Sequence, residues 1–274
     1  GIRVEDYGIS VKLKYIIAYL FALFFLRPFE KLFLDENDAI IVHYSSTKDM
    51  LTREFGVNPK RIMKIPYHVE LYEKGAPHVL NPKKGNGLED VIKKRPLCVT
   101  VCRQEPRKGI NYLIRAVKVI LDSGHVVNTV VVGSGSLLEK NKKLARKLGI
   151  EDNILFTGFV ADVLPFLQNA DLFVFSSLQE GSGALSILDA MKMGVPIVST
   201  ACDGIREDIE DGVSGLLVPP RNEYVLAKRI IELINDKKLA TELGRNAANE
   251  WRRRFDAKKM VEGIRDCYRV IEGI

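Results

Sequence analysis

Two stretches of the chain combine charged side chains with glycine in ways that could hold a phosphorylated ligand. The first is Arg103-Gln-Glu-Pro-Arg-Lys-Gly109, directly after an apolar run. Cations beside the start of a helix oppose its macrodipole, so they are a poor choice for stability alone. They suit an anion: the Arg103 guanidinium and the Lys108 ammonium would converge on a diphosphate and neutralise it. The bland alternative is a solvated basic loop. The second stretch is Ser176 to Met191, SSLQEGSGALSILDAM, in which a Gly-rich turn feeds a helix. Gly181 and Gly183 would let backbone N–H groups approach an anion at the helix N-terminus. Glu180 would sit at the mouth of the cleft, with Asp189 further along the helix. Carboxylates so placed could accept hydrogen bonds from sugar hydroxyls. An N-capping Glu and a solvated Asp are the competing reading.

Other candidates carry less. Gly133-Ser-Gly-Ser-Leu-Leu138 begins like a dinucleotide fingerprint, but Leu138 occupies the third glycine's place. Asn153 and Ile154, where the ribose-binding acid belongs, are not acidic, so a plain strand-to-helix turn is expected. His68 and His43 read as structural. Cys98, Cys102, Cys202 and Cys267 form no CxxC pair and no metal-ligand spacing. Neither a disulfide framework nor a zinc site is expected, and a reducing compartment is the default. Cys98 and Cys102 read as small core residues on one face of a strand.

The elements that must position these residues follow from hydrophobic pattern. Short apolar runs at Pro96–Cys102, Val126–Val132, Asn153–Thr157, Asp171–Phe175, Pro196–Ser199 and Gly215–Val218 alternate with helical patterns. Those helices run near Gly109–Ser123, Leu137–Leu148, Val163–Asn169, Ala184–Met193 and Glu223–Asn235, with two more over Leu239–Phe255 and Lys258–Ile271. Continuously apolar strands between helices predict an α/β, doubly wound parallel sheet that binds ligands beyond its carboxyl ends. Upstream, Asp38–Ser46 and Arg61–Pro66 read as strands around a helix from an N-capping Thr47 to Gly56. Residues 70–95 crowd Gly, Pro, Asn and Lys without periodicity and read as a linker. Tyr15–Leu26 is a 12-residue apolar run flanked by Lys12, Lys14, Arg27 and Lys31. That is short of the roughly 20 residues of a membrane span. A buried helix or one lying in a membrane interface both fit it.

The chain has 274 residues, 46% hydrophobic and 28% charged, enough apolar material for a sizeable core. Its net charge of +6 is too modest for a dedicated nucleic-acid binder, and no nucleic-acid partner is expected. At roughly 150 residues per domain, its length corresponds to about 1.8 domains.

The order Arg103…Lys108-Gly109, Thr157-Gly158-Phe159-Val160, Glu180-Gly181-Ser182-Gly183…Asp189-Ala190-Met191, Gly194-Val195-Pro196-Ile197-Val198 and Gly212-Val213-Ser214-Gly215-Leu216-Leu217-Val218 resembles glycosyltransferase family 4. These are retaining enzymes with two Rossmann-like lobes, the GT-B architecture. The resemblance implies a complete donor-binding lobe over 96–255 and the end of an acceptor lobe over 1–69. A C-terminal helix over 256–274 would pack back on the acceptor lobe. It further implies that Arg103 and Lys108 hold the donor diphosphate and that Gly158, Phe159 and Val160 present backbone to the nucleobase. Glu180 would contact the donor sugar, the amides of Gly181, Ser182, Gly183 and Ala184 a phosphate, and Asp189 the ribose. No metal or other cofactor is implied, the nucleotide-diphosphate sugar being the donor substrate. The family's E-x7-E motif, counted from Glu180, would end on Leu188, whereas the carboxylate is Asp189. One residue rotates a helical side chain by about 100°, so an extra residue in the 181–184 turn is the simpler account.

The expected function is therefore transfer of a sugar from a nucleotide sugar to a glycan, lipid or small-molecule acceptor. Rival readings are a non-catalytic binding or assembly subunit and a nucleotide-sugar epimerase of the same architecture. The residues before Asp38 cannot supply the first strands of an acceptor lobe, so an incomplete N-terminal lobe is expected. A cytoplasmic location is expected, with peripheral membrane contact through residues 12–33.

Overall fold

The computed structural model describes residues 27–68, 95–180, 183–255 and 257–272. The apolar run Tyr15–Leu26, Gly181, Ser182 and nearly all of the expected linker lie outside them. Two compact units emerge, one from residues 1–68 with 256–274 and one from Val69–Phe255.

The first unit draws on both ends of the chain. It comprises α1 (Arg27–Glu36), β1 (Ile40–Val42), α2 (Ser45–Phe55), β2 (Ile62–Lys64) and, from the chain's end, α10 (Ala257–Glu272). β1 and β2 pair in parallel, Ile40 opposite Ile62 and Val42 opposite Lys64. Val42, Leu51, Val57 and Ile62 form its buried cluster. α2 begins at Ser45 with Tyr44 as its cap residue, so Thr47 lies within the first turn instead of capping it. The pairing that holds β1 ends at Val42, and the chain coils soon afterwards. His43 Nδ1 lies 2.8 Å from Ile65 O, and the His68 N–H donates to Met260 Sδ at 3.3 Å.

The second unit is built on β3 (Leu97–Val101), β4 (Asn128–Val132), β5 (Ile154–Gly158), β6 (Leu172–Phe175), β7 (Ile197–Thr200) and β8 (Leu216–Val218). These six strands lie side by side in the order β5-β4-β3-β6-β7-β8, every pair parallel. Helices α3 (Ile110–Asp122), α4 (Leu138–Lys147), α5 (Leu164–Gln168), α6 (Leu185–Met193), α7 (Ile205–Asp208), α8 (Glu223–Asn235) and α9 (Lys237–Arg254) complete the unit.

Sequence dictates this layering locally. In β4, Val130, Val131 and Val132 are all buried, so both sheet faces are covered. In α3, Ile110, Leu113, Ile114, Val117 and Ile120 recur at helical spacing and pack with Leu226, Ala227, Ile230 and Leu233 of α8. Side chains buried so fully each contribute about 2 kcal/mol, and Leu113→Ala would cost about 3 kcal/mol. Asn222 and Asp236 start α8 and α9 by accepting the Val225 and Leu239 N–H groups. No helix among the described residues is long and apolar enough to cross a membrane.

Chain order reverses at β3, which pairs with β4 on one side and β6 on the other. Loops leaving such a switch point splay apart and open a crevice at the carboxyl ends of the strands. Both charged stretches singled out in the sequence emerge there.

Candidate functional site

The first wall of the crevice is the loop from β3 to α3. Pro106–Lys108 form a single 3₁₀ turn, and Gly109 follows at φ +61°. A Cβ on Gly109 would stand 2.2 Å from Ser176 O, so only glycine lets this loop meet the end of β6. Gln104, fully buried, anchors the other side. Its Nε2 donates to Gly133 O at 2.7 Å, and its Oε1 accepts from Asn141 Nδ2 at 2.9 Å. The Gly133–Ser136 turn, which imitates a dinucleotide fingerprint, therefore serves as a seat for this loop. A Cβ on Gly135 would fall 2.6 Å from the Gln104 backbone.

The second wall runs from Ser176 to α6. It is stitched to the first: the Leu178 N–H donates to Arg107 O at 2.7 Å and Ser177 Oγ to the same carbonyl at 2.9 Å. Ser176 Oγ donates to Lys108 O at 3.2 Å. Between the walls lies a cavity of about 280 Å³ lined by Arg103, Arg107, Lys108, Glu180, Gly183 and Ala184, among others.

Lys108 and Glu180 form the floor of this cavity. Lys108 is 9% exposed and Glu180 3%, and their side chains pair directly. Glu180 Oε1 also accepts from Ser177 Oγ at 2.6 Å, and Arg107 Nη1 stands 3.2 Å from Oε2. The expectation of Glu180 at the mouth is thus corrected: with donors on both oxygens, the carboxylate is drawn inward. Nor does it cap α6, whose cap residue is Ala184. Lys108 Nζ additionally lies 5.0 Å over the Phe175 ring. Removing one partner of such a buried pair costs several kcal/mol, because the other charge is left without solvent or counter-ion. Arg103, by contrast, has a 79% exposed side chain, with Nη2 at 3.3 Å from Glu105 Oε1.

Asp189 sits one turn beyond Leu185 and Ser186, which line the cavity, and so shares their face of α6. Leu188, where the E-x7-E count would end, is buried in the core. The Asp189 carboxyl has no hydrogen-bond or ion-pair partner among the described residues. Burial raises its pKa to about 7, with Lys192 opposing the shift.

Gly158 ends the edge strand β5, Phe159 and Val160 follow it, and none of the three lines the cavity. Gly158 has φ +70°, its carbonyl accepts the Gly133 N–H at 2.8 Å, and Phe159 is 79% exposed. Gly181 and Ser182 lie outside the described residues, while Gly183 and Ala184 line the cavity.

Cys98 is buried in the strand as expected. Cys102 corrects the expectation, lying one residue past β3 and lining the cavity. Burial pushes its thiol up to about 12, which suppresses thiolate chemistry. Among the described residues, no three His, Cys, Asp or Glu side chains are grouped to hold a metal ion.

Gln104, Arg107 and Ser177 escaped the sequence reading as contributors to the site. Arg107 alone carried a signal, its charge directly before Lys108. The others act through hydrogen bonds between loops far apart in sequence.

Residues 89–250 match the glycosyl transferases group 1 family, and the chain belongs to that family. An uncharacterized glycosyltransferase of Methanocaldococcus jannaschii is 29% identical over 97% of this chain and 67% of its own length. The capsular polysaccharide biosynthesis glycosyltransferase CapM of Staphylococcus aureus is 29% identical over 59% of this chain and 42% of its own. A GDP-mannose-dependent phosphatidylinositol monomannoside mannosyltransferase of Mycobacterium tuberculosis is 33% identical over 58% of this chain and 43% of its own. The chain thus spans two-thirds or less of these relatives. Among solved structures, Anabaena HepE in complex with UDP superposes with a TM-score of 0.71 at 21% identity, over 86% of this chain and 64% of that one. The S. aureus TarM structure gives 0.73 at 22% identity, over 87% of this chain and 45% of that one. These likenesses establish a GT-B type fold with one complete lobe.

Proposed function

We propose that the crevice between β3 and β6 binds the diphosphate of a nucleotide sugar and that this chain supplies the donor site of a retaining glycosyltransferase. The observation that carries this reading is the buried Lys108–Glu180 pair at the topological switch point, flanked by Arg103 and Arg107. A cation is placed there at the cost of desolvation, which an arriving diphosphate offsets. Names of relatives support the ligand class, GDP-mannose for one and UDP in the HepE complex.

In this reading Lys108, Arg103 and Arg107 balance the charge that grows on the leaving diphosphate as the bond from the sugar's anomeric carbon to phosphate oxygen breaks. An acceptor hydroxyl forms the new bond at that carbon and releases its proton to the departing phosphate. Glu180 orients Lys108 and meets the sugar's hydroxyls. Asp189 accepts hydrogen bonds from the ribose, the Gly181–Ala184 amides face phosphate, and Gly158–Val160 flank the base. Residues 96–255 act as the donor lobe, and residues 1–69 with 256–274 belong to the acceptor lobe. Anionic-membrane contact through residues 12–33 belongs to the same proposal and predicts liposome co-sedimentation that falls with added salt.

Calorimetric titration of the chain with UDP-glucose and GDP-mannose tests the reading. One of them is expected to bind and to lose at least tenfold in affinity in Lys108→Met. Failure of both nucleotide sugars and of UDP and GDP to bind overturns it.

A further inference from the structure

We infer that Asp203, which no motif singles out, is a positioning residue that fixes Glu180 from the β7 side of the β6 loop. The inference rests on the donor-site reading. Asp203 lies in the loop from β7 to α7, beyond the end of the neighbouring strand. Its Oδ2 accepts the Glu180 backbone N–H at 2.5 Å. The residue has φ +41°, in the left-handed region that side chains other than Gly, Asn and Asp rarely enter. Backbone held there costs free energy, and such residues gather where the fold holds a functional group in place.

The rest of the loop supports the same contact. Thr200 Oγ1 donates to Ser177 O, and Cys202 Sγ lies 3.5 Å from that carbonyl. Ile205, fully buried, pins the first turn of α7, while Arg206 Nε donates to Ala201 O at 3.0 Å. The β7 loop therefore grips the β6 loop at Ser177 through its stem and at Glu180 through Asp203. Lys108, Arg107 and Ser177 fix the Glu180 carboxylate, and Asp203 fixes its backbone. With Ser177 still on the carboxylate and Asp203 on the backbone, Glu180 stays in place when a diphosphate draws Lys108 away. The carboxylate stays where a sugar hydroxyl can meet it. A backbone bond to a carboxylate behind the β6 wall thereby separates sugar recognition from phosphate recognition.

Two substitutions divide the contributions. Asp203→Gly accepts the left-handed backbone but removes the acceptor; Asp203→Asn keeps an acceptor and tolerates the same φ. Each is titrated with the nucleotide sugar that the unsubstituted chain binds, and with the corresponding nucleoside diphosphate. Asp203→Gly should lose about tenfold in affinity for the nucleotide sugar, as expected for one charge-assisted hydrogen bond. It should change less than about twofold toward the diphosphate alone, and Asp203→Asn should stay within about threefold on both. In a Glu180→Gln background the Asp203→Gly effect should shrink, because the two act in series.

Equal loss on both ligands, no loss on the sugar, a full effect in the Glu180→Gln background, or failure of Asp203→Gly to fold each overturns the inference. Binding of no nucleotide by the unsubstituted chain overturns the donor-site reading itself, a result separable from all of these.

Discussion

Two carboxylates, one lining the crevice and one a helical turn behind its lining, are in opposite circumstances. Glu180 is gripped by Lys108, Arg107 and Ser177. Asp189, on the next helix, is half-buried with no hydrogen-bond or ion-pair partner among the described residues, and burial raises its pKa to about 7 against the opposing charge of Lys192. Glu180 is satisfied by the protein and helps to hold the fold together. Asp189 is a deficit in the fold that a ligand's hydroxyl groups could relieve. Removing each should thus shift stability in opposite directions.

Lys108→Met should give the largest effect. It leaves Glu180 buried with only Arg107 and Ser177, and the unfolding free energy should fall by about 3 kcal/mol in urea denaturation. A loss under 1 kcal/mol would show that Glu180 is held without Lys108. Gly109→Ala should come next, losing about 2 kcal/mol, because the new methyl meets Ser176 O at a left-handed backbone position.

Asp189→Asn should instead stabilise. The folded carboxyl titrates at about 7 against 3.8 for a solvent-exposed aspartate, so between these values the folded state binds more protons. Stability from this group is therefore lost as pH rises through that window, and Asn escapes the loss. The gain should be on the order of 2 kcal/mol at pH 8 and vanish near pH 4. Nucleotide-sugar affinity should fall in the same variant, and wild-type affinity should rise from pH 6 to pH 8 as Asp189 ionises. A destabilised Asn variant at pH 8 would show that the fold holds Asp189 as it holds Glu180. Phe159→Ala, at a side chain 79% exposed, should leave stability within about 0.5 kcal/mol. Any loss of affinity there would mark a base-facing role.

The sheet was legible because both of its faces are covered. Six β-branched or apolar runs, five of them followed by a helical pattern, left little choice of topology, as the alternation of Leu97–Val101 with Ile110–Asp122 shows; the four-residue α7 (Ile205–Asp208) is too short to leave a pattern. Arg103, Lys108 and Gly183 could be named as lining the crevice because anion chemistry needs cations and glycine at strand ends. The depth of Glu180 could not be read, since it depends on donors from residues 107, 108 and 177 reaching one oxygen pair. Gln104 was invisible for a related reason: its amide satisfies Gly133 and Asn141, a match made only after β4 pairs with β3. The start of α2 was misplaced because Thr47 is a good cap by type, while the end of strand pairing at Val42 sets the start.

The backbone stitch between the walls has a kinetic consequence. The Leu178 amide proton is donated across the crevice to Arg107 O, not within its own loop. It can exchange with deuterium only when the two loops part. Its exchange rate is therefore a built-in clock for crevice opening, and ligand that holds the loops together should slow that clock at this single amide.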